Sequence, residues 1–215
     1  MLDCCSLSKA LDLISCKSRV ECLEKLVVLF AIYRYMPIGR LSLSNITSVS
    51  ERRIRRYIGD FRDSGLIRVD KVAGAEIVSR TILDLMSNTD IIVFENYCGV
   101  FLSCSPECLE TISNRYLMFR DMIVVGMGSP FVLEVIGFVF DGGVVFPGVP
   151  EDLASKYLAT AKRLLSVAKK KNCCFILVLS KRIDCCLRLV PAIYYAVDGV
   201  CRGVYRLSDV GGFCG

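Results

Sequence analysis

As far as Asn88, the apolar positions of this chain recur mostly at helical spacing. Leu7, Ala10, Leu11 and Ile14 place a short leading helix within 2–15. Ser18-Arg19-Val20-Glu21 has the form of a capping box, with Ser18 as N-cap and Glu21 reaching back from the third helical position. The helix it opens is predicted to reach Tyr35, with Val20, Leu23, Val27, Phe30 and Ala31 inward, and Pro37 and Gly39 end it. A short second helix follows over 40–47, anchored by Leu41 and Ile46. A third lies within Ser48–Gly65, SVSERRIRRYIGDFRDSG, with Ser50 as N-cap and Gly65 at C′. At about 100° per residue, Ile54, Ile58 and Phe61 share one face with Tyr57 at its margin. Arg52, Arg56 and Gly59 take the opposite face, and Arg53 and Arg55 the flanks. Gly65–Asp70 then alternates apolar with charged, as a strand does; Ala73-Gly74 turns the chain and 75–78 returns. A linking helix over 79–88 closes this part.

After it the pattern changes. Asp90–Ser103 reads as a strand or bent hairpin rich in Ile, Val, Phe and Tyr. Ser105-Pro106-Glu107 starts a helix that runs through Leu109, Ile112 and Tyr116 towards Val124. Phe131–Phe140 is a strand, Asp141-Gly142-Gly143 a hairpin turn and 144–146 its partner. Pro150-Glu151-Asp152 opens an amphipathic helix to Lys171, and Cys173–Ser180 is a short buried strand. The order β-α-β-β-α-β predicts a ferredoxin-like antiparallel sheet with its helices on one face. Residues 183–197 fit a helix or a strand equally, and 211–215 read as a frayed tail. The fold class expected is therefore α+β. Residues 1–88 form one domain and 90–215 a second.

Charge strengthens the division. Residues 1–89 hold 14 Lys plus Arg against 10 Asp plus Glu, while 90–215 hold 13 against 12. Seven of the basic residues lie between Arg52 and Lys71, so a polyanionic partner is expected on that part only. The first 18 residues carry Asp3, Lys9, Asp12 and Lys17 without the basic and apolar regions of a signal peptide. A cytoplasmic protein is expected, its 13 cysteines reduced, except that a hyperthermophile cytosol would tolerate bridged pairs. The most apolar stretch, Met122–Phe140, is broken by Gly126, Gly128, Ser129 and Pro130 and carries Glu134, so no membrane span is expected.

The phrase SERRIRRYIGDFRDSGLIRV resembles the recognition helix and first wing strand of winged helix-turn-helix DNA-binding domains in archaeal and bacterial regulators, within a resemblance that spans 18–86. That likeness implies a helix in the DNA major groove and a hairpin along the flanking backbone. It implies that Ser50, Arg52, Arg53, Arg55 and Arg56 face DNA, that Arg68 and Lys71 sit on the wing, and that Arg40 holds a phosphate. A winged helix ahead of a βαββαβ domain resembles the layout of Lrp/AsnC-type regulators. FRDMIVVGMGSPFVLEVIGFVFDGGVVFPGVP is similar to part of an archaeal family in which a winged helix precedes a domain of unknown function. The expected function is transcription regulation, with double-stranded DNA as partner. The second domain would make a homodimer and bind a small-molecule effector. The alternative is a scaffold or assembly subunit whose winged helix contacts protein.

Enzyme chemistry is not expected. The chain has no histidine, which excludes histidine acid–base chemistry, Ser-His and Cys-His pairs and histidine-ligated metals. Cys98, Cys104 and Cys108 are close in sequence and admit three readings: a zinc or iron–sulfur site, a redox sensor at a helix start, or small buried residues. Packing habits favour the last, so no cofactor and no metal are expected. Glu134, inside an apolar run, needs Arg120 or another cation, marks a ligand cleft, or faces water. Gly126-Met127-Gly128-Ser129 lacks the flanks of a phosphate loop, and Lys169-Lys170-Lys171 ends its helix as a solvated basic turn.

Overall fold

The computed structural model describes residues 1–140, 143–168 and 174–203, which fall into two compact units: 5–87, and 1–4 with the chain from Asn88 onward. The architecture is mixed α and β. In the first unit, α1 (Cys4–Asp12), α2 (Arg19–Tyr35), α3 (Arg40–Thr47) and α4 (Glu51–Asp63) precede a hairpin of β1 (Ile67–Asp70) and β2 (Gly74–Ile77), and α5 (Arg80–Ser87) ends it. Ser18 caps α2 by accepting from the Glu21 amide at 3.2 Å, whereas the Glu21 carboxylate accepts from Lys17 N at 3.3 Å rather than from the cap residue.

Helix α2 is the axis of this unit. Every residue from Leu23 to Ile32 is buried, so it shows no apolar stripe, as expected of a helix surrounded on all sides. Removing each large apolar side chain from water contributes about 1.5–3 kcal/mol. The same burial encloses Glu24 and Lys25. Val20, expected inside, is exposed. In α3 the anchors are Leu43 and Thr47, one turn apart, with the Thr47 hydroxyl donating to Leu43 O at 2.7 Å. Leu41, expected to anchor it, is 67% exposed, because the inward phase runs through 43 and 47.

Helix α4 buries Ile54, Tyr57, Ile58 and Phe61, and side chains on its flank reach α2. Polar contacts accompany this packing. The Glu24 carboxylate accepts from the Tyr57 hydroxyl and from Arg53, each at 2.5 Å. Lys25 donates to Ser15 O at 2.6 Å and pairs with Asp60 at 2.8 Å and Glu21 at 3.2 Å. Burial, then the Glu24 carboxylate, push the Tyr57 phenol up to about 12. In the hairpin, Arg68 stands opposite Glu76, and Ile38 exchanges backbone hydrogen bonds with Ala75 at 3.2 and 2.8 Å. Gly74 has φ +107°, and a Cβ there would lie 2.5 Å from Ile38 O, so only glycine fits this close approach.

The second unit contains β3 (Thr89–Phe94), β4 (Tyr97–Cys104), α6 (Pro106–Asn114), α7 (Tyr116–Met127), β5 (Val135–Phe140), β6 (Gly143–Val145), α8 (Glu151–Ala168), β7 (Cys174–Ser180) and α9 (Cys186–Arg202). The helix expected to run from Ser105 towards Val124 is two helices, because Arg115 leaves helical geometry at φ −117°, ψ 33°. Residues 183–197 resolve as a short 3-10 turn and most of α9. The Asp141-Gly142 part of the expected turn, Lys169-Lys170-Lys171, Cys173 and the tail lie outside the described residues.

All strands pair antiparallel in the order β3-β4-β7-β5-β6. This corrects the ferredoxin-like expectation. A ferredoxin-like sheet interleaves its two halves, so β6 would lie between β4 and β5. Here β7 does. Six of its seven residues are buried, which suits a central strand, while the three residues of β6 are exposed or half-buried and suit an edge. The expectation of helices on one face is also corrected. Phe101, Leu177 and Leu179 pack with Ala161 and Leu164 of α8, whereas Tyr116 of α7 meets Phe138 and Cys98 is bonded to Cys186 of α9 on the other face. Strands buried at successive positions need cover on both sides.

Disulfides join Cys4 to Cys201, Cys16 to Cys22 and Cys98 to Cys186, which corrects the expectation of reduced thiols at these pairs. Leu2 bridges Cys104 in parallel, so 1–4 extend the sheet and the Cys4 bridge ties them to α9. Among the described residues no helix is long and apolar enough to cross a membrane.

Two outcomes test the α2–α4 contact. Glu24→Leu orphans the buried Tyr57 hydroxyl and is expected to cost about 1–3 kcal/mol, most of it recovered in Glu24→Leu/Tyr57→Phe, where both partners are gone. Equal melting temperatures for wild type and the single variant would contradict the contact. The second outcome concerns alkali. Tyr57 keeps its proton in the folded state to about pH 12 but loses it near its ordinary value of 10.0 when unfolded. Its contribution is therefore complete below that ordinary value and lost as pH rises through the folded one. Urea titrations across this window should show a stability decline that Tyr57→Phe makes shallower.

Candidate nucleic-acid interface

The buried stripe of α4 fixes the directions of its other side chains. Arg52, Arg53, Arg55, Arg56 and Arg62 are all exposed. They nevertheless divide into two sets. Arg53 is on the flank that meets α2 and donates to Glu24. Arg56 approaches Glu21 at 3.5 Å and stacks its guanidinium 5.0 Å from the Tyr57 ring centre. These two pair with the buried Glu24 and the half-buried Glu21 of α2. Arg55 makes only a 3.3 Å pair with Glu51, one turn back and exposed, of a kind that contributes little in water. Among the described residues Arg52 has no ion pair.

The far flank of α4 borders an open cleft. Arg55, Ile58, Gly59 and Arg62 form one wall, and Val69, Asp70, Lys71 and Val72 of the hairpin form another. Ile38, Gly39 and Arg40, at the start of α3, complete the lining of about 640 Å³. Four cations face one carboxylate there. That carboxylate, Asp70, accepts from Val72 N and Ala73 N at 2.7 Å each, and these hydrogen bonds hold it below the usual carboxylate range. It is thus occupied in shaping the turn. Arg40 and Lys71 have no ion pair among the described residues. Arg62 pairs with the exposed Asp63 at 3.1 Å, and a concave groove bordered by these four cations suits phosphate oxygens, which accept paired hydrogen bonds from arginine.

The structure therefore brings Arg40, Arg55 and Lys71 together around the cleft. It leaves Ser50, Arg52, Arg53, Arg56 and Arg68 outside that lining. Ser50 occupies the N-cap position, but its hydroxyl makes no capping bond, contrary to expectation. Arg68 donates to its cross-strand partner Glu76 at 2.6 Å. Arg62 was not among the expected residues. Its signal was available: 55, 59 and 62 follow one helical line, and Gly59 leaves that line open between two arginines.

The other candidates resolve differently. Cys98 and Cys104 lie six positions apart along β4, about 20 Å, so Cys98 does not join Cys104 and Cys108. Interaction with Cys108, then burial, push the Cys104 thiol well above its ordinary value, while Cys104 holds that of Cys108 below it. Glu134 finds Lys181 at 2.6 Å and the Tyr157 hydroxyl at 2.7 Å, not Arg120. Burial alone would raise its carboxyl, but Lys181 and Tyr157 outweigh that and hold it below the usual range. The Gly126–Ser129 segment is the end of α7 with Gly128 as a left-handed cap at φ 70°.

No protein-family model matches the chain, and no curated protein does. Among solved structures, it is similar to the hypothetical protein PH0730 from Pyrococcus horikoshii OT3 at a TM-score of 0.52 and 16% identity, over 86% of this chain and 98% of that one. The likeness is one of fold: a mixed α and β chain of comparable extent.

Proposed function

We propose that residues 5–87 are a winged helix-turn-helix reader of duplex DNA and that the protein is a transcription regulator of the archaeal kind its sequence resembles. The observation carrying this reading is the cationic surface of α4. Arg52, Arg55 and Arg62 turn away from α2, and Arg40 and Lys71 continue the surface across the cleft. Helix α4 follows α3 after the left-handed turn at Ser48, and the β1–β2 hairpin stands beside it as a wing, with Ile38 adding one bridged residue to its edge. In this reading α4 enters the major groove and the cleft holds phosphates of the flanking strand. The second unit supplies the dimer contact and an effector site; its exposed Leu117 and Phe131 are apolar surface for the former.

A specific feature favours the alternative, a scaffold that contacts protein. Val72 at the hairpin tip is 97% exposed and Leu41 of α3 is 67% exposed, both beside the cationic surface. Stoichiometric capture of a protein that covers Val72 would support it.

Fluorescence anisotropy with duplex DNA over a salt series separates the two. With five phosphate contacts, the log–log slope of affinity against salt is expected near −4.5, and Arg52→Ala, Arg55→Ala and Arg62→Ala should each reduce its size by about 0.9. Arg53→Ala should leave the slope unchanged while costing about 1 kcal/mol of stability, since it removes a half-exposed partner of Glu24. Absence of binding at low salt, or slopes unaltered by the first three variants, would overturn the DNA reading.

A further inference from the structure

Away from the cationic surface, three segments distant in sequence bring sulfur to one place in the second unit. Cys4 follows the residues that extend the sheet, Cys108 lies in the first turn of α6, and Cys201 is in the last turn of α9. Their Sγ atoms all lie within 4.8 Å of one another. Cys4 is bonded to Cys201, and its Sγ is 3.1 Å from that of Cys108. Cys104, at the end of β4, is outside this group. Both Cys104 and Cys108 are almost fully buried.

We propose that, once the Cys4–Cys201 bridge is reduced, Cys4, Cys108 and Cys201 hold one Zn²⁺. The spacing selects the ion. Zinc–thiolate bonds of about 2.3 Å place the sulfurs of a tetrahedron about 3.8 Å apart, a spacing open to three Sγ atoms that all lie within 4.8 Å of one another once the bridge is reduced. A cubane iron–sulfur cluster spreads its cysteines over separate irons and needs a wider ring. Three thiolate ligands without histidine suit Zn²⁺, which takes soft sulfur donors.

The disulfide and the metal exclude each other but close the same clasp, between the amino-terminal residues and α9. A phosphine and one water cleave the bridge, giving two thiols and a phosphine oxide. Zinc then takes the three sulfurs as thiolates, and their protons pass to solvent. Oxidation state thus decides which link holds the clasp.

The test uses the full chain, reduced with a phosphine and titrated with Zn²⁺ and, separately, Co²⁺. One Zn²⁺ per chain is expected, with Co²⁺ giving thiolate charge-transfer and tetrahedral absorption bands. Bound zinc should shield Cys4, Cys108 and Cys201 from iodoacetamide in peptide maps, while Cys16 and Cys22 remain reactive. Cys108→Ser should weaken binding roughly tenfold or more, and Cys5→Ser, at an exposed free cysteine, should not. No uptake by the reduced wild type, shielding that falls on other cysteines, or equal weakening in Cys5→Ser would each overturn the site.

Discussion

The carboxylate of Glu24 constrains the first unit more than any other group. A helix buried on all sides has to find partners for whatever polar atoms its sequence places there, because an unpaired buried charge costs several kcal/mol. Glu24 and Lys25 occupy two successive positions of such a helix. Their partners come largely from one flank of α4: Arg53, Tyr57 and Asp60. Apolar packing of Ile54, Ile58 and Phe61 would tolerate some rotation of α4 about its axis. The hydrogen bonds to Glu24 would not. They fix the roll of the helix, and the roll decides which arginines reach outward.

This division is the link from packing to proposed function. A cluster of four arginines in five residues looks uniform in sequence, yet Arg53 and Arg56 answer to the acids of α2 while Arg52 and Arg55 do not. The outward set includes Arg62, further along α4, and gains Arg40 and Lys71 from elements that only the fold brings together. Charge left over after the core has been neutralised is available to a partner. The second unit follows a different economy. Its sheet is covered on both faces, and its amino-terminal residues are held by the Cys4 bridge to α9.

Much of this was legible in the sequence, for identifiable reasons. Helices with a cap or a sharp stop, such as Ser18 with the helix to Tyr35 or the short helix over 40–47, were placed because those signals are local. Interior and surface were harder. Leu41 was assigned inward because apolar residues usually are, but α3 contributes only a Leu43–Thr47 edge. The ferredoxin-like order failed because strand order is set by which strand can be buried on both sides, and a β-α-β-β-α-β string is compatible with more than one answer. Within the candidate site, the α4 stripe was readable from periodicity. The pairing of Arg53 with a residue 29 positions earlier was not, nor was the convergence of Cys4, Cys108 and Cys201. Long-range partners leave no spacing to read.

The account is tested most directly by following the arginine Nε–Hε signals of the isotopically labelled chain by NMR while duplex DNA is added. It predicts that the Arg52, Arg55 and Arg62 signals shift progressively and that Arg53, held by Glu24, stays in place. Signals unmoved throughout, or a shift led by Arg53, would contradict it.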